Sequence, residues 1–159
     1  MKDFKEDFKE IAEYVIIDSA AGLGIEAKAV IEMSDELILV TNPEIPAIAD
    51  ALKTIKLAEK LKKNVLGIII TRVKRNKTEM QPETVKEMLE VPILGMIPED
   101  ITIQKSLSER DAVIHTDPKS KSARAYKEIA ANLIGVEYDS DQDRERRLKR
   151  LLQKLGLVA

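Results

Sequence analysis

The strongest constraint in this sequence is a set of short apolar runs in which hydrophobic residues do not alternate with polar ones. They are Tyr14-Val15-Ile16-Ile17, the core of Glu36-Leu37-Ile38-Leu39-Val40-Thr41, Val65-Leu66-Gly67-Ile68-Ile69-Ile70 and Val91-Pro92-Ile93-Leu94-Gly95-Met96-Ile97-Pro98. A strand that is apolar at every position has both faces buried, which is the pattern of a parallel sheet covered by helices. Helical spacing fills the intervals: Phe4, Phe8, Ile11 and Ala12 precede the first run, and Ile48, Leu52, Ile55, Ala58 and Leu61 separate the second from the third. A last such stretch, Ser120 to Ile134, ends at Gly135. The expected class is therefore α/β, a parallel sheet with helices on both faces. Ligands of such sheets sit beyond the carboxyl ends of the strands. That directs attention to Asp18-Ser19-Ala20-Ala21-Gly22, Thr41-Asn42-Pro43-Glu44, Thr71-Arg72 and Pro98-Glu99-Asp100.

Composition removes several classes of function. The 159 residues fit one domain, with 26 Lys+Arg nearly balancing 28 Asp+Glu, so the chain as a whole carries no field that draws nucleic acid or a membrane toward it. Cysteine is absent and His115 stands alone, which excludes disulfides and thiolate metal sites and leaves little for zinc or a Ser-His-Asp triad. No apolar run approaches the roughly 20 residues that span a bilayer. The first residues alternate charges and do not form a signal peptide; they read as the middle of a longer sequence, and the expected location is cytoplasmic.

At the strand ends the residue types have both chemical and purely structural uses. Asp18 would hold a magnesium-bound water, with Gly22 letting the following loop approach a phosphate; an Asp there would equally cap a helix or turn. Asn42-Pro43 stops a strand and primes a helix, Thr71-Arg72 reads alone as a surface pair, and Pro98-Glu99-Asp100 reads as a helix start. Taken in order, however, the four segments resemble the MinD/ParA family of ATPases. Asp18 with Ala21-Gly22 is similar to that family's Walker B and switch segment, with Ala20 where proline is usual. Thr41-Asn42-Pro43-Glu44 and then Asp50 resemble the switch and dimer surface, while Thr71-Arg72 and Ile97-Pro98-Glu99-Asp100 look like the two segments that clasp adenine.

The resemblance covers about Ile11 to Leu133. It implies Mg-ATP as cofactor, with Asp18 on the metal side and Gly22, Thr71, Arg72, Pro98, Glu99 and Asp100 on the nucleotide. It also implies Asn42, Glu44 and Asp50 on an effector and homodimer face, and a division-regulator protein as partner. A P-loop needs glycines to wrap phosphates with backbone N–H groups and a lysine to meet their charge. None of Gly22, Gly24, Gly67, Gly95, Gly135 and Gly156 begins a Gly-x-x-x-x-Gly-Lys pattern. The expectation is therefore the C-terminal part of such an ATPase, an incomplete P-loop NTPase-like fold, inactive alone and with a gap where the P-loop strand would stand.

The last segment differs from everything before it. Arg144 to Leu155 carries six basic residues and one acid, and at 100° per residue Leu148, Leu151, Leu152 and Leu155 share a face, with Lys149 and Arg150 flanking it. Such a helix suits a membrane interface, leucines below the headgroups and cations on anionic lipid; it also suits self-docking or nucleic acid. It resembles the C-terminal targeting helix of MinD proteins, which implies a peripheral position on the inner face of the cell membrane. The expected organisation is an ATPase-domain part over 1–135, a polar linker over 136–143 and a basic amphipathic tail over 144–159. The implied function is that of a membrane-associated switch in cell-division site placement. The rival readings are a ParA-like DNA-partitioning ATPase and a non-catalytic adaptor.

Overall fold

In the computed structural model, residues 12–19, 22–74, 76 and 78–138 are described. The chain forms two compact units, Met1–Met96 and Ile97–Ala159.

The first unit opens with helix α1 (Ile25–Met33), then strand β1 (Glu36–Thr41), helix α2 (Ile45–Lys60), strand β2 (Asn64–Val73), helix α3 (Pro82–Leu89) and strand β3 (Ile93–Pro98), whose end passes into the second unit. The strands form one sheet in the order β1-β2-β3, with β1 parallel to β2. In register Leu37 lies beside Val65 and Ile38 beside Gly67, so β2 holds one extra residue at that point and the sides realign beyond it. The expected strands at 36–41, 65–70 and 91–98 are all present, the last beginning two residues later, at Ile93.

Helix α2 forms where the apolar spacing predicts it. Ile48, Ala51, Ile55 and Ala58 recur three or four residues apart and are the buried positions. Pro46 sits in the first turn, where its missing N–H costs nothing. These residues pack with Leu39, Ile68 and Ile70 of the sheet and with Val85 and Leu89 of α3, so α2 and α3 build a core on one sheet face. Side chains alternate across a strand, and the alternate positions of β1 point the other way: Ile38 is 39% exposed and Val40 66%. Lys63 ties the preceding elements together, its Nζ donating to the carbonyls of Glu32 and Ser34 at 2.7 Å each.

Gly67 is a glycine that close packing demands. It has φ +152°, a Cβ there would meet the Pro92 carbonyl and lie 2.9 Å from Leu94 Cγ, and the next N–H, of Ile68, donates to that same Pro92 carbonyl at 2.9 Å.

The second unit contains helices α4 (Ile101–Ser108), α5 (Val113–Thr116) and α6 (Lys121–Leu133), with α5 packed on both α4 and α6. Ser120 Oγ accepts from Ala123 N to cap α6. At the other end Gly135, at φ +70°, donates to Asn132 O, and Val136 N donates to Ala131 O at 2.9 Å. This pair of bonds around a left-handed residue is the Schellman stop that Gly135 promised.

One expected strand is absent. Tyr14-Val15-Ile16-Ile17 has no ladder partner among the described residues, and Ile16 is 94% exposed. Apolar composition makes a strand only where a neighbour supplies hydrogen bonds, and no described strand lies beyond β1 to provide them. The helix expected around Phe4, Phe8 and Ile11, and the tail from Arg144, lie outside the described residues.

Candidate functional site

In the first unit the candidate residues gather at strand ends. Thr71 Oγ1 donates to the Thr41 carbonyl at 3.1 Å, tying the carboxyl ends of β1 and β2 to each other. Thr41 itself is buried and its hydroxyl donates to Asn42 O at 3.3 Å. The adjacent Asn42 Oδ1 is buried without a hydrogen-bond partner among the described residues. Arg72 is exposed and left-handed at φ +56°, a conformation costing a non-glycine residue roughly 1–2 kcal/mol. Glu44 is the exposed N-cap residue of α2 and makes no side-chain capping bond. Asp50, six residues on, pairs with Lys53 at 2.9 Å on the open surface, a contact of the kind that contributes little to stability.

Asp18 is exposed at the end of the unpaired apolar segment, and Gly22 has φ +97° with open space where a Cβ would stand. The glycine there is required by backbone conformation and not by crowding.

In the second unit Pro98 closes β3, Glu99 is exposed, and Asp100 accepts three hydrogen bonds. Its Oδ1 accepts from Thr102 N at 3.0 Å as the N-cap of α4, and its Oδ2 accepts from Ser122 N at 3.2 Å and Ser122 Oγ at 3.1 Å. One carboxylate thus holds the first turns of two helices. Burial pulls the Asp100 carboxyl upward, but hydrogen bonds from Thr102 and Ser122 outweigh it and hold the group below its ordinary range. Sequence reasoning placed Asp100 on the nucleotide and did not find Ser122, which is fully buried. The available signal was the cap itself, an Asp directly before an apolar helical run.

Parallel strands linked by helices, with polar residues collected at their carboxyl ends, define the nucleotide-binding α/β class. The family model described as ParA, NUBPL iron-transfer P-loop NTPase, matches residues 4–134. The chain belongs to this ParA/MinD family of P-loop NTPases. It is 37% identical over 137 residues to an uncharacterized ATP-binding protein of Methanocaldococcus jannaschii, covering 86% of this chain and 52% of the relative. It is 30% identical over 141 residues to the septum site-determining protein MinD of Bacillus subtilis, covering 85% and 52%. Among solved structures, MinD of Pyrococcus horikoshii complexed with Mg-ADP superposes with a TM-score of 0.76 at 31% identity, over 82% of this chain and 54% of that one. The chain therefore spans about half the length of the curated relatives it matches.

The residues present do not fit a whole nucleotide. A triphosphate needs a run of backbone donors and a lysine, and the sequence has no Gly-x-x-x-x-Gly-Lys pattern. The described residues include no group of three metal-ligating side chains. No helix among the described residues is long and apolar enough to cross a membrane.

Proposed function

We propose that this chain is the base-side and effector-side portion of a MinD-like, ATP-dependent switch that acts in division-site placement and docks peripherally on the inner face of the cell membrane. The observation that supports it most is the order of the strand-end segments, Asp18, Asn42-Pro43-Glu44, Thr71-Arg72 and Pro98-Glu99-Asp100, on a fold matching MinD over most of this chain. In this reading Asp18 serves magnesium, and Gly22 permits a switch loop beside it. Thr71 and Arg72 in the first unit, and separately Pro98, Glu99 and Asp100 in the second, are residues assigned to the nucleotide, Asp100 by fixing the helix starts behind its own segment. Asn42, Glu44 and Asp50 belong to the face that meets a second subunit or a division regulator. Residues 136–143 act as linker and 144–159 as membrane tail.

The family model's description mentions iron transfer, but this chain has no cysteine to offer a cluster. A switch role is therefore favoured over an iron carrier.

The test joins the chain to a phosphate-binding half bearing a Gly-x-x-x-x-Gly-Lys loop. Mg-dependent ATP hydrolysis should appear and should be lost in Asp18→Ala. Retained turnover in that variant would remove Asp18 from the metal side. The joined protein should then bind anionic liposomes in preference to DNA when the two are compared across salt concentrations; the opposite preference would establish the ParA-like partitioning role instead.

A further inference from the structure

Between β1 and α2 the segment Thr41-Asn42-Pro43-Glu44 has little side-chain support of its own. Glu44, the N-cap residue of α2, makes no capping bond, and a helix start without one is less firmly fixed. Asn42 Oδ1 is buried with no hydrogen-bond partner among the described residues. Two donors reach the segment from β2 and from the connection that follows it. Thr71 Oγ1 donates to Thr41 O at 3.1 Å, and Met80 N donates to Pro43 O at 3.0 Å.

That connection is braced. Glu79 Oε1 accepts from Lys74 N at 2.8 Å, and Asn76 Oδ1 accepts from Thr78 N at 3.1 Å and from Glu79 N at 3.2 Å. Its course toward Met80 therefore depends on the backbone angles with which the chain leaves β2, and there Arg72 has φ +56°. A residue with a Cβ takes this conformation only against a steric cost. Such outliers persist where surrounding contacts over-determine them, and they concentrate at switch regions. A cavity of about 340 Å³ has Pro43, Ile70, Val73, Met80 and Met96 in its wall. A shift of the Met80–Pro43 contact thus has open space to enter, where a close-packed interior would resist it.

We infer that Arg72 is the hinge of a relay within the first unit. Its left-handed conformation aims the connection so that Met80 N reaches Pro43 O, and loss of that conformation slackens the bond and loosens the start of α2. The relay's meaning rests on the function proposed above, in which Thr71 and Arg72 are assigned to the nucleotide and Asn42, Glu44 and Asp50 to a second subunit or regulator. A ligand that favours one backbone conformation of Arg72 over the other then sets the shape of the face that this partner meets. Thr71 acts as a positioning residue, because its hydroxyl is already committed to the Thr41 carbonyl.

Amide hydrogen exchange on the full chain, followed by nuclear magnetic resonance with no nucleotide or partner present, tests the relay. The Ile48 amide, which donates to Glu44 O, and the Met80 amide report on the segment, while the Ile68 amide, which donates to Pro92 O, serves as control. Arg72→Val puts a β-branched side chain where φ is positive, a conformation such residues avoid. Protection at Met80 and Ile48 should fall about tenfold, the scale of one net hydrogen bond, with Ile68 unchanged. Arg72→Gly takes a positive φ freely and should keep parent protection although the guanidinium is gone. If Arg72→Val does not fold, Thr71→Val carries the test: protection at Ile48 should fall, and Thr71→Ser should restore it. Unchanged exchange at Met80 and Ile48 in Arg72→Val, an equal loss in Arg72→Gly, a loss of the same size at Ile68, or failure of Thr71→Ser to restore protection would each overturn the relay. Because neither nucleotide nor partner is present, a negative result bears on the relay alone, whereas failed ATP hydrolysis in the joined protein bears on the proposed function.

Discussion

Removing the Asp100 carboxylate should destabilise the protein through two helices at once. In Asp100→Ala the Thr102 N–H loses its cap, a loss of roughly 1 kcal/mol in comparable helices. The N–H and hydroxyl of Ser122 lose a charged acceptor, and bonds to charged groups are worth about 1.5–3 kcal/mol. Ser122 is fully buried, but its hydroxyl retains a 3.3 Å contact with Ser120 Oγ, which offsets part of that. The sum is about 3 kcal/mol. Asp100→Asn should cost less, since an amide oxygen keeps one of the two roles while its NH₂ group faces a donor.

The pH dependence follows from the depressed carboxyl. Its stabilising contribution is complete above the ordinary carboxylate range and disappears as pH falls through the lower folded-state value. Urea unfolding at neutral pH and in a descending pH series would measure both effects, and the parent's extra acid sensitivity should be missing from Asp100→Ala. A variant within about 0.5 kcal/mol of the parent, the range of ordinary surface substitutions, would show that the carboxylate does not hold the two helices and would return Asp100 to a purely ligand-binding role.

The chain alone should neither hydrolyse ATP nor bind it tightly, and calorimetry with Mg-ATP that returned a micromolar dissociation constant would contradict this. Gly67→Ala should cost at least about 2 kcal/mol, because a positive φ alone costs on the order of 1–3 kcal/mol and the added Cβ would meet the Pro92 carbonyl; a melting temperature equal to the parent's would refute it. Liposome binding by the tail should be weak, dependent on anionic lipid and sensitive to salt, because each cation near the surface contributes about 1 kcal/mol while folding the helix costs roughly 1 kcal/mol or more per residue. Leu152→Glu should reduce that binding sharply, and unchanged co-sedimentation after deletion of residues 144–159 would exclude the tail as the lipid contact.

The parts of this fold that could be read in advance are those whose cause is local. Unbroken apolar runs at 36–41 and 65–70 became paired strands because each finds the other, and the spacing of Ile48, Ala51, Ile55 and Ala58 became the buried face of α2. Gly135 stopped a helix through backbone conformation alone. Tyr14 to Ile17 failed under the same rule because strand formation is a property of two segments, and composition reports only one of them. Gly67 read as an ordinary member of an apolar run, since nothing nearby in sequence announces that Pro92 will approach its α-carbon.

The candidate site divides in the same manner. The ends of β1 and β2 were visible because a strand end is visible, whereas the partnership of Asp100 with Ser122 joins residues 22 positions apart and could be recognised only once the helices were in place. That separation changes how Asp100 should be understood. A carboxylate already accepting three hydrogen bonds from Thr102 and Ser122 has little capacity left for a purine, so its contribution to a base-binding segment is to fix the backbone of Pro98 and Glu99. Substitution at Asp100 should therefore alter stability before it alters any affinity.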